Sequence, residues 1–82
     1  MKQITTVYAY LDVDKDTLEE GIVAIEMANK MFPLIGASIH EQKELKNYVK
    51  FLSTSEKKNI KLVKFSGREE IEEFKPQGDK NG

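Results

Sequence analysis

The side chains that could do chemistry gather in one stretch, "YLDVDKDTLEEG" (residues 10–21), where Asp12, Asp14 and Asp16 alternate and Glu19 and Glu20 follow. Acidic residues at positions 1, 3 and 5 open a calcium loop, which also needs a glycine at 6 for the sharp turn and a bidentate Glu at 12. Counted from Asp12, position 6 is Thr17, position 8 is Glu19 where an apolar residue is usual, and position 12 is Val23. The conditions that close a calcium shell are missing. A helix start explains the pattern with less: Asp14 or Asp16 would accept from the free amides of a first turn, and Glu19 stands three residues after Asp16. Val13 and Leu18 would then flank the cap as an apolar staple. The functional candidate here is an acidic docking patch of Asp12, Asp14, Asp16, Glu19 and Glu20.

The opposite charge collects later, in Lys43, Lys46, Lys50, Lys57, Lys58, Lys61 and Lys64, with Tyr48, Phe51 and Phe65 interleaved. Lysines could follow a nucleic-acid backbone while bases stack on rings such as Phe51, so this region is the candidate nucleic-acid surface. Glu41, Glu44 and Glu56 dilute it, and Arg68 is the only arginine of the chain. Arginine is the residue suited to bidentate contacts with phosphate and guanine. A bias toward lysine fits AT-rich coding, which suggests a low-GC bacterium or one of its phages or mobile elements as the source.

Catalysis has little to work with. His40 is the single histidine and the chain has no cysteine, so neither a zinc shell nor a thiol nucleophile can be assembled around it. Ser38, Ser53, Ser55 and Ser66 lie in no nucleophile-elbow motif, and no glycine-rich phosphate loop occurs. No enzyme activity and no cofactor are expected.

The elements that must position these residues follow from apolar spacing. Residues 3–13, "QITTVYAYLDV", alternate Val7, Ala9 and Leu11 against Thr6, Tyr8 and Tyr10, as a strand does. Over residues 15–32, Leu18, Ile22, Ile25 and Phe32 recur at helical spacing and Pro33 closes the run, which predicts a long helix. Its apolar arc would span roughly 220°, more than one sheet face covers. The excess, Val23, Ala24, Met27 and Met31, is therefore the candidate partner or dimer interface, because methionine repacks readily and exposed apolar area marks interfaces.

"LIGASIHE" alternates as a strand would, and residues 43–57 read as strand or helix. The strand is preferred because Ser53, Thr54 and Ser55 continue a helix poorly. Residues 59–66 form a strand, Ser66 to Glu69 has capping-box spacing for a short helix ending before Pro76, and residues 76–82 form a polar, disordered tail.

The chain has 82 residues, a net charge of -1 and 39% apolar content, which suits one small globular domain over residues 1–75. The expected fold is α+β: a two-layer sandwich of one long helix over a mostly antiparallel sheet, in the order β-α-β-β-β plus a short C-terminal helix. The alternative is a β-α-β-α-β-α α/β domain. No apolar run approaches the roughly 18 residues of a membrane span, and no signal opens the chain. A cytoplasmic, non-enzymatic regulator or inhibitor is expected, a homodimer that occupies the surface of a protein partner. A nucleic-acid-binding module is the alternative.

Overall fold

The computed structural model describes residues 3–78 and shows a small mixed α+β domain with antiparallel sheets and two helices. Alternation of β-branched and aromatic residues makes β1 (Thr6–Val13) and β6 (Asn59–Ser66) strands, paired along their whole length from Thr6↔Ser66 to Val13↔Asn59. The other edge of β1 is shared by β2 (Glu20–Ile22), beside Leu11 to Val13, and β5 (Ile35–Gly36), beside Tyr8 and Ala9. Between them the chain leaves the sheet as a separate hairpin, β3 (Ala24–Met27) with β4 (Lys30–Pro33).

Three residues hold this junction. The Tyr10 N–H donates to the Leu34 carbonyl (3.1 Å), the Leu34 N–H to that of Val23 (2.8 Å), and the Val23 N–H to that of Tyr10 (2.9 Å). The ring satisfies the backbone groups that are stranded where strands part, and an unpaired one buried there would be costly. All three side chains are buried in one cluster with Val49, joined by Ile25, Leu45, Leu52, Ile60 and Leu62.

The cluster is roofed by α1 (Ile39–Glu44) and α2 (Lys46–Glu56). Ser38 caps α1 by accepting from the Glu41 N–H (3.3 Å). At the end of α2, Lys57 turns left-handed (φ 54), the Lys58 N–H reaches the Ser53 carbonyl (3.1 Å), and the Ser53 hydroxyl donates to the Lys58 carbonyl (2.7 Å). This is a C-terminal cap with lysine where glycine is usual.

The sequence expectation of a helix over 15–32 is corrected: that segment is β2, β3 and most of β4. Residues 46–56 are helix rather than strand, the strand after Pro33 is only two residues long with α1 beginning at Ile39, and residues 67–76 carry no helix. The predicted tail, residues 76–82, lies partly outside the described residues, which end at 78. The radius of gyration is 16.7 Å, against about 12 Å for a compact chain of this length. Residues 67–78 are exposed throughout, and the hairpin packs on the core through Ile25 while its outer part, residues 26–33, is exposed.

Candidate interaction surfaces

The acidic stretch builds a turn between strands, not the start of a helix. The Asp14 carboxylate accepts from the backbone N–H groups of Asp16 (2.8 Å) and Thr17 (2.9 Å). The Leu18 N–H closes the loop on the Asp14 carbonyl (2.9 Å), with Leu18 left-handed at φ 63. Hydrogen bonds from Thr17 and Asp16 hold the Asp14 carboxyl below its ordinary pKa. Asp12, Asp14, Asp16, Glu19 and Glu20 do come together, lining an open cavity of about 500 Å³ that Lys57 and Lys58 also line. Lys58 lies 4.0 Å from Asp12, and Lys61 pairs with Glu20 at 2.6 Å. The patch is thus partly neutralised by its own lysines. Among the described residues, no group of three acidic, histidine or cysteine side chains is placed to hold a metal ion.

The seven lysines separate. Lys43 is on α1, while Lys46 and Lys50 of α2 line a second cavity of about 410 Å³ with Tyr10, Val49 and Ile60. Lys57, Lys58 and Lys61 face the carboxylates just described, and Lys64 sits across from Tyr8 on β6. Phe51 is exposed on α2 away from that cavity. The structure divides the residues that the sequence groups into one basic run. His40 is exposed on α1, and the hydroxyls of Ser38, Ser53 and Ser55 are engaged with backbone groups.

Of the candidate interface residues, Val23 belongs to the core and Ala24 is half-buried, whereas Met27 and Met31 are 56% and 60% exposed. Their setting is the β3–β4 hairpin, which extends from the Tyr10–Val23–Leu34 junction as an arm. Its turn is two residues, Ala28 (φ 50) and Asn29 (φ 63), both left-handed as a twist-matched hairpin turn requires. Ile25 pairs with Phe32 and Glu26 with Met31. Phe32 is exposed too.

The arm adjoins a second apolar surface. Strand alternation puts Tyr8, Tyr10, Ile60 and Leu62 on the helix side of the sheet, and Val7, Ala9, Leu11, Val63 and Phe65 on the other, together with Ile22 and Ile35. Neither helix packs there: their core residues all join the Tyr10 cluster. Ile22, Ile35 and Phe65 at its margins are exposed, whereas Ala9 and Leu11 at its centre are buried, and the Lys61–Glu20 ion pair lies on the same side; no helix of the described residues covers this face. Sequence reading missed this face, though it left a signal. β1 is apolar on both sides, and the rest of the chain supplies apolar residues for only one covering layer.

The chain matches no protein-family model, no curated protein and no solved structure.

Proposed function

We propose that this chain is a non-enzymatic interaction module, a small regulator or inhibitor that works by occupying the surface of a protein partner. The arm carries the reading. A free two-stranded hairpin is marginal in water, and ordering each residue costs about 1–2 kcal/mol of backbone entropy. Here the closed ring of hydrogen bonds at Tyr10, Val23 and Leu34 anchors such a hairpin, with Met27, Met31 and Phe32 in solvent. Methionine beside an aromatic ring gives an adaptable apolar contact. By alternation, Ala24, Glu26, Met31 and Pro33 continue the sheet side that no helix covers through Ile22 and Ile35, while Met27 and Phe32 face the helix side, so the arm offers apolar residues on both of its faces. The partner this suits presents apolar side chains. The cytoplasm is the proposed compartment, and among the described residues no helix is long and apolar enough to cross a membrane.

The test is affinity capture from host lysate with cross-linking and mass spectrometry, comparing the native chain with a Met31→Asp, Phe32→Asp double variant. Both positions are exposed, so circular dichroism is expected to stay unchanged while the captured protein disappears. Equal capture by the variant removes the arm from the mechanism.

A further inference from the structure

Among the described residues β6 pairs only with β1, so its outer edge carries no partner strand there. The Gly67 N–H donates to the Thr5 carbonyl (2.9 Å), so the β1–β6 ladder runs straight to Gly67. Antiparallel alternation then turns the backbone groups of Ile60, Leu62, Lys64 and Ser66 outward, where a further strand would bind. Free edges of this kind recruit strands.

Residues 68–75, "REEIEEFK", lie just beyond this edge with no strand or helix of their own. Ile71 is 92% exposed and Phe74 83% exposed. Placed antiparallel against β6 so that residue i faces residue 134 − i, they set Phe74 opposite Ile60, Glu73 opposite Lys61, Ile71 opposite Val63 and Glu70 opposite Lys64. These four pairs are complementary, although Lys61 already pairs with Glu20 (2.6 Å) and the same register sets Glu72 opposite Leu62 and Glu69 opposite Phe65; the outward-facing residues of β6 all fall at hydrogen-bonding positions. In a single chain this register would demand reversal within one residue at Gly67, which is too short for a hairpin. In two chains it needs no reversal. The register is then its own mirror about Gly67, as a two-fold interface requires.

We propose that two copies of this chain associate through the β6 edge, each lending residues 68–75 as an added strand to the β6 of the other. Gly67, now at φ 88, is the joint that straightens, a change glycine makes without a Cβ penalty. The association uses neither Met31 nor Phe32, so it stands or falls separately from the arm.

Charge exchange at the 64–70 pair tests the register. Lys64 makes no ion pair among those of the described residues, and Glu70 pairs only with the exposed Arg68 (2.6 Å), so neither reversal should disturb folding. Sedimentation velocity on the full chain over a concentration series is expected to show a monomer–dimer equilibrium. Lys64→Glu alone and Glu70→Lys alone should each weaken it about tenfold, because each sets like charges opposite at two symmetric places. The double variant should recover native affinity. A strict monomer, a dimer indifferent to the single reversals, or a double variant as weak as either single one would each overturn the proposal. Met31→Asp should leave the equilibrium unchanged, and a dimer lost on that substitution would assign the contact to the arm instead.

Discussion

Tyr10 and Leu11 are consecutive residues of β1 and each is 5% exposed, but different things hide them. Tyr10 is covered by a second layer: Val49, Leu45 and Leu52 come down on it, and its hydroxyl donates to the Gln42 carbonyl of α1. Leu11 is not part of the Tyr10 cluster; it is flanked on its own side of the sheet by Ile22 and by Lys61, which is paired with Glu20. Equal burial can therefore come from a packed core or from one twisted layer. Only the first gives side chains close contacts on every side, and the second leaves its outer apolar residues wet.

The contrast is sharpest in a pair of truncations. Leu34→Ala opens a cavity in the Tyr10 cluster and should cost 2–5 kcal/mol, on the order of half the stability of a domain this size. Ile22→Ala, on the side no helix covers, trims a half-exposed side chain that shields Leu11 and should cost about 1 kcal/mol, less than Leu34→Ala. Urea denaturation of the two variants measures the difference. Comparable losses would mean that the side without a helix is covered in solution, and the distinction between the two faces would collapse.

How much of this was legible depended on the length of the elements. β1 and β6 are eight residues each, long enough for alternation to declare them, and β6 was located to the residue. The strands of 20–36 are two to four residues long, too short for a period of two to register against Leu18, Ile22, Ile25 and Phe32 at helical intervals. Their turns were also unmarked. The left-handed positions are taken by Leu18, Ala28 and Asn29, and the two glycines of the segment, Gly21 and Gly36, are inside β2 and β5. In α2 the serines that argued against helix bond to nearby carbonyls, Ser53 to Lys58 and Ser55 to Leu52, and so end the helix instead of preventing it. Met27 and Met31 read as excess apolar surface on a helix, and they are exposed on a hairpin. The surplus was readable from composition, whereas its geometry required knowing the turns.

Within the covered face, the hydroxyl of Tyr10 separates packing from hydrogen bonding. Tyr10→Phe keeps the ring and loses one donation, and the Gln42 carbonyl still accepts from the Leu45 N–H (3.1 Å), so about 1 kcal/mol is the expected cost. Burial pushes the Tyr10 phenol above its ordinary pKa. The folded state thus holds this proton more tightly than the unfolded chain does. Its contribution is complete below the unfolded value of about 10 and is lost as pH rises through the folded one. Urea midpoints taken near neutrality and above pH 10 should fall less steeply for Tyr10→Phe than for the native chain. An unchanged alkaline slope would show that this phenol does not report on the core.

Asp14, just past the end of β1, gives the smallest effect and the opposite sign. Its carboxyl is fully exposed, so packing contributes nothing, and its pKa is lowered chiefly by the Thr17 and Asp16 amides. The unfolded chain therefore takes up this proton first: the stabilisation is present above the unfolded value near 4 and is lost as pH falls through the lower folded one. Asp14→Asn keeps an oxygen that can accept from both amides but has no charge to lose. It should lower neutral stability by the small amount the charge contributes and flatten the acid limb. Asp14→Ala removes the acceptor and should lower stability at neutral pH as well, still by far less than Leu34→Ala. Acid titrations followed by circular dichroism separate the three. If Asp14→Asn unfolds along the native acid curve, the turn is held by its backbone bonds from Asp14 to Glu19 and Leu18, and the carboxylate only decorates it.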